Sequence, residues 1–202
     1  MKKMLLMMLL SFATMATAQK SEIKLGDFNF LKDQKKVKVV FDYSNLKINA
    51  DSISEAEYIA KRKDDLNSKN PGNGDAWIDK WKGAKESIWE PKFMELLSKY
   101  ATKDTGIQFS KYAEDAPYTL TVRVDWIYPG RDAFVMKQYA KVSSTLIFTD
   151  SKNKGDKKLI IKYKEAPGDQ YGNNFSNESR IGEGFAKTAK TFSKNLEKAL
   201  KK

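Results

Sequence analysis

The chain has 202 residues, with 37 lysines and arginines against 26 aspartates and glutamates, for a formal net charge of +11. It contains no histidine and no cysteine. Their absence removes the commonest general base, the usual ligands of zinc, haem and iron–sulfur centres, and every Ser-His-Asp or Cys-His arrangement, so no metal or other cofactor is expected.

Lys2 and Lys3 precede a largely apolar run over 4–15, and Ala16-Thr17-Ala18 follows. This order predicts a signal peptide over 1–18, cut between Ala18 and Gln19. The apolar run is shorter than the roughly 20 residues that span a bilayer. No cysteine follows to carry a lipid, and no disulfide can form. The expected product is a single α/β domain over 19–202, periplasmic or secreted, with no transmembrane segment. Without the two leader lysines its charge is +9. Outside the cytoplasm that balance favours anionic lipid, cell-wall polymers or acidic proteins over nucleic acid.

After a polar lead-in over 19–36, "VKVVFDYSNLKI" alternates Val37, Val39, Phe41 and Tyr43 with Lys38, Val40, Asp42 and Ser44. That is the period of a half-buried strand. Its apolar phase shifts beyond Asn45, which predicts a bulge or bend. Ser54 and Glu57 form a capping box at the head of a helix of about three turns. Pro71, Gly72 and Gly74 break the chain, and Asp75 is placed to cap a second helix. In that helix Trp77, Trp81, Ala84 and Ile88 make one stripe. Pro91 is expected to end or kink it, or to open the next helix, which carries Phe93, Leu96, Leu97 and Tyr100. Trp77 and Trp81 read as core; Trp89, off the stripe, is a candidate for a groove.

"YTLTVRVDWIYPG" reads as a strand with Tyr118, Leu120, Val122, Val124, Trp126 and Tyr128 on one face and Thr119, Thr121, Arg123 and Asp125 on the other. A turn at 129–132, a strand over 133–148, a charged turn over 149–158 and the strand "LIIKY" complete an antiparallel meander. A loop over 165–179 precedes a helix whose stripe runs Ile181, Phe185, Ala189, Phe192, Leu196 and Leu200. The fold expected is α+β: a two-layer sandwich of about four mainly antiparallel strands with helices on one face, in the order β-α-α-β-β-β-α. The other face of the sheet is expected to be polar and open.

Few motifs carry chemistry. Gly182 and Gly184 give a G-x-G at a helix start, but the strand, third glycine and lysine of a phosphate cradle are missing; close backbone packing is the plainer reading. Asp150, Asn153 and Asp156 lack the closing glutamate of a calcium loop. Asp42 and Asp125, with Arg123 nearby, would form a carboxylate pair if their strands were neighbours; a solvated ion pair is the alternative.

At "VKVVFDYSNLKI", "WEPKFMELL", "YTLTVRVDWIYPG" and "RIGEGFAKTAKTF" the chain resembles a group of uncharacterised exported bacterial proteins. Its element order is similar to periplasmic accessory modules such as transporter-auxiliary lipoproteins and TolB-N-terminal-like domains. The resemblance implies partner binding in the cell envelope and transfers no site residue. Three functions stand. One is a non-enzymatic envelope module binding a protein or an anionic or cell-wall polymer, through the sheet or through Asp169, Tyr171 and Phe175 of the loop. Another is carbohydrate binding on Trp89, Trp126 or Tyr128. The last is a carboxylate hydrolase on Asp42 and Asp125.

Overall fold

The computed structural model describes residues 19–133, 136–168 and 176–201. The segment that follows the expected cleavage point is itself a strand, β1 (Lys20–Gly26). It is followed by β2 (Lys36–Asp42), the two-residue strands β3 (Lys47–Ile48) and β4 (Ile53–Ser54), and helix α1 (Glu55–Lys69). The Ser54 side chain accepts the Glu57 backbone N–H at 3.2 Å and caps the helix, while the Glu57 carboxylate, expected to complete a capping box, pairs with Lys61 at 2.9 Å. The break between helices is confined to a few residues around Gly72, whose φ of 87° suits glycine. Asp75 does not cap; it lies in the first turn of α2 (Asn73–Ala84) and pairs with Lys63 at 2.8 Å.

From α2 the helical path continues without interruption through α3 (Glu90–Leu97) and α4 (Lys103–Thr105). Two π-helical turns, Lys85–Trp89 and Ser98–Thr102, join the three segments. Pro91 occupies the first turn of α3, where a missing N–H is tolerated, and the widened turn before it carries the path past the proline. Gly106, at φ 74°, ends the helix. Then come β5 (Gln108–Ser110), β6 (Tyr118–Tyr128), β7 (Arg131–Ala133), β8 (Met136–Gln138), β9 (Ala140–Asp150), β10 (Lys157–Gly168) and α5 (Asn177–Leu200).

The sheet corrects the expected four-stranded antiparallel layer. It has eight strands and is mixed, in the order β1-β10-β9-β6-β2-β5, with β3 beside β6 and β4 beside β3. The meander β6-β9-β10 is antiparallel, whereas β2 runs parallel to both β5 and β6, and β3 parallel to β6. The strand expected over 133–148 is also divided. Its first part belongs to a separate two-stranded ribbon, β7-β8, and only β9 joins the main sheet. The fold class is α+β; the strand count and directions differ because β2–β6 pairing joins residues about eighty positions apart, where no local pattern announces it.

The helices pack on one face. Val37, Val39, Leu120, Val122, Val124, Leu146, Phe148, Leu159 and Ile161 are buried beneath them, with Ile181, Phe185, Ala189, Phe192 and Leu196 from α5. Trp81 and Trp89 are both 0% exposed. Trp89 stacks on Phe185 at 5.8 Å and meets Trp81 edge-on at 5.1 Å. Tyr58 and Trp77 extend this aromatic chain toward α1. Among the described residues no helix is long and apolar enough to cross a membrane.

Candidate functional site

The face of the sheet away from the helices holds the features with chemical reach. Along β6, Thr119, Thr121 and Arg123 point to it while Leu120, Val122 and Val124 are buried. The alternation then breaks. Val124 pairs with Ser144 but Trp126 pairs with Ser143, so Asp125 is an extra residue in a β-bulge. The slip buries Ile127 and turns Trp126 and Tyr128 onto the open face, opposite Ser143 and Lys141. This corrects the single apolar stripe read over 118–128.

A second bulge sits on the other side of β9. Tyr163 pairs with Ser144 and Ala166 with Val142, leaving an irregular stretch at Lys164 and Glu165. Glu165 takes φ 50°, and its N–H donates to Ser143 Oγ at 3.0 Å. Twin bulges thus flank an unbroken β9 at the same height. Between them lies a depression of about 450 Å³ lined by Lys47, Arg123, Asp125, Trp126, Lys162 and Lys164, among others.

The two rings are held at their polar ends. Trp126 Nε1–H donates to the Asn49 carbonyl at 2.7 Å, and the Tyr128 hydroxyl bonds Gln138. Their planes are within 12° of parallel, with centroids 6.2 Å apart. Both are partly exposed. A partly exposed ring with a fixed edge loses little freedom when a ligand stacks on it.

Asp42, Arg123 and Asp125 are brought together. β2 and β6 are neighbours, and Asp42 lies in register with Arg123. Arg123 Nε donates to Asp125 Oδ1 at 2.8 Å, and the Thr145 hydroxyl donates to Asp125 Oδ2. Asp42 Oδ1 accepts the Ser44 N–H at 2.9 Å. Hydrogen bonds from Ser44 hold the Asp42 carboxyl below its ordinary value, with the Arg123 charge adding to the effect. A glycosidase-type pair needs one carboxyl kept protonated at working pH. Here a guanidinium is tied to one acid and in register with the other, and Asp42 is pushed the other way, which is the arrangement of an ion-pair network.

The remaining candidates fall elsewhere. Trp89 is sealed inside, its N–H donating to the Glu178 carbonyl at 2.9 Å, so it offers no surface for stacking. Gln19 is buried, and its side-chain Nε2 donates to Thr188 Oγ1 at 3.2 Å. Ala18, Asp169, Tyr171 and Phe175 lie outside the described residues. Among the described residues no group of three or more acids is placed to hold a metal ion.

Two further features carry no sequence signal. A cleft of about 780 Å³ opens between α1, the 49–51 turn and the end of β6, with Tyr58, Arg62, Asp65 and Tyr128 on its walls. Burial pushes the Tyr58 hydroxyl up to about 12, so it is protonated and neutral at any physiological pH. Around the first π turn, Glu55 accepts from Trp81 Nε1–H at 2.9 Å and pairs with Lys85 at 2.7 Å, while Glu90 pairs with Lys111. Lys85 also lies 4.7 Å from the centre of the Tyr43 ring. These ties fasten α1 and the end of β2 to the long helical path. Comparison with protein-family models, curated proteins and solved structures finds no match for the chain.

Proposed function

We propose that this protein is exported to the cell envelope and acts there, without catalysis, as a module that binds a partner or polymer on its open sheet face. The observation that carries the reading is the pair of bulges flanking β9. An undisturbed β6 would have buried Trp126 and Tyr128; the slip at Asp125 puts two large rings on the polar side instead. Bulges that re-aim side chains recur beside functional sites. The signal-like segment at 1–18 supports the location. The Asp42–Arg123–Asp125 cluster has the chemistry of an ion-pair network and supports binding over hydrolysis.

A photo-crosslinking residue placed at Thr121 or at Ser143, activated in growing cells, tests this directly. Both positions face the open side, whereas Lys194 lies on the outer surface of α5. The expected result is a discrete adduct from the two sheet positions and none from Lys194. Adducts from Lys194 alone, or no adduct from either sheet position, would rule out the face as the binding surface.

A further inference from the structure

The open face carries an unbalanced set of charges. Its anions are engaged: Glu22 pairs with Lys24, Asp125 with Arg123, Glu165 with Lys141, and Asp42 faces Arg123. Lys20, Lys47, Lys162 and Lys164 are exposed and form no ion pair among the described residues. Register puts all four on one side of the sheet. Lys47 is beside Trp126, Lys20 beside Lys164, and Lys162 beside Glu22.

The arrangement has a definite geometry. Lys162 and Lys164 stand two strand residues apart, roughly 7 Å. β10 lies two strands from β6, about 10 Å away, with β9 between them. Trp126, with Lys47 beside it, and Lys162 and Lys164 therefore border the same depression from opposite sides, at the span of a short oligosaccharide, and the Tyr128 ring continues the aromatic surface next to Trp126. Ring faces attract the apolar face of a pyranose, and ammonium groups take carboxylates or other acidic substituents by charge-assisted hydrogen bonds. A neutral glycan would leave the lysines unused. A flat lipid surface would have to meet lysines that flank a recess holding the Trp126 ring.

We infer that the face binds an acidic polysaccharide, with a sugar ring against Trp126 and Tyr128 and acidic substituents on Lys47, Lys162 and Lys164. The inference rests on the open face being the binding surface and adds the class of ligand. Such binding weakens with added salt, because part of it is Coulombic between exposed groups.

Titration of the purified protein with polygalacturonate, with dextran as the neutral control, measures it. Polygalacturonate should bind and dextran should not. The double variant Lys162→Gln/Lys164→Gln should weaken binding by about tenfold or more, since giving up one charge-assisted hydrogen bond costs about a factor of ten. Lys194→Gln/Lys198→Gln on α5 should change nothing, and both lysine pairs are exposed, so neither double variant disturbs the core. Trp126→Phe should weaken binding while leaving its salt dependence in place. Equal binding of dextran, or unchanged affinity in Lys162→Gln/Lys164→Gln, would overturn the assignment. So would binding to phosphatidylglycerol vesicles in place of the glycan. In either case crosslinks from Thr121 would still report whether the face is occupied, which separates failure of the ligand class from failure of the surface.

Discussion

Trp89→Ala is expected to destabilise the protein by about 3–5 kcal/mol, the range for deleting a large aromatic from a packed core. Trp89 is the joint between the long helical path and α5. Its ring is stacked at 20° on Phe185 of α5 and stands at 80° to Trp81 of α2. It belongs to the π turn just before Pro91, so the backbone is positioned around it. Truncation would empty a space walled by Trp81, Phe185 and Tyr43, and would leave the Glu178 carbonyl without this donor. A domain of ordinary stability has about 5–15 kcal/mol in total, so the variant loses a large share of it. Trp89→Phe, which keeps a ring and loses the N–H, should cost about 1–3 kcal/mol. Guanidinium unfolding of the three proteins gives both numbers. A loss below about 1 kcal/mol for Trp89→Ala would mean the ring is not part of the core.

Gly184→Val should cost about 1–3 kcal/mol through overpacking. A Cβ at Gly184 would lie 2.6 Å from Val142 Cγ2 and 3.2 Å from the Ala166 carbonyl oxygen. The nearest atom is on β9 and the next on β10, so α5 would have to lift off the sheet. Gly182 makes an instructive pair. Its Cβ would meet the Ile88 branch methyl Cγ2 at 2.9 Å, and Ile88 is only partly buried, so its side chain has room to shift where the fully buried Val142 does not. Gly182→Ala also gains about 1 kcal/mol of helix propensity, so its net effect should be near zero. Thermal unfolding of Gly184→Val and Gly182→Ala separates the two. Equal melting temperatures would show that α5 does not rest on β9 through Gly184.

These two residues also mark how far the sequence can be read. The G-x-G at 182–184 is legible as close packing because the other parts of a phosphate cradle are missing. The stripe of α5, the N-cap at Ser54 and the bend at Asn45 are legible for the same kind of reason: each is a local pattern with a local cause. The sheet is not. β1 is exposed at all seven positions and held by backbone pairing to β10, so its side chains carry no burial signal. Pairing of β2 with β6 and of β5 with β2 is parallel and distant, and neither leaves a trace in the alternation of any one strand.

The binding face is hidden by a subtler ambiguity. In "VDWIY", residues 124 to 128, apolar side chains occupy both phases, since Val124, Trp126 and Tyr128 alternate with Asp125 while Ile127 fits the opposite register. A reading that keeps Trp126 and Tyr128 in step with Val124 is satisfied by the pattern. The chain instead buries Ile127 and accepts the slip at Asp125, whose carboxylate is then tied to Arg123 and Thr145. The spacing of Asp42 and Asp125 allows a pair only on condition that their strands are neighbours. That condition holds, but hydrogen bonds from Ser44 hold the Asp42 carboxyl below its ordinary value, and Arg123, in register with Asp42, is tied to Asp125. Trp89 misleads in the other direction: its position off the first helical stripe suggests a surface ring, but the π turn rotates it back into the core.

Hydroxyl-radical footprinting with residue-level mass spectrometry tests the central claim most directly, because it reads the solvent exposure of each tryptophan and tyrosine separately. The account predicts oxidation of Trp126 and Tyr128 at rates well above those of Trp81, Trp89 and Tyr163, which are buried. Trp126 protected as strongly as Trp81 and Trp89, with Ile127 oxidised in its place, would mean that β6 runs without its bulge and that the open face has no aromatic pair to offer.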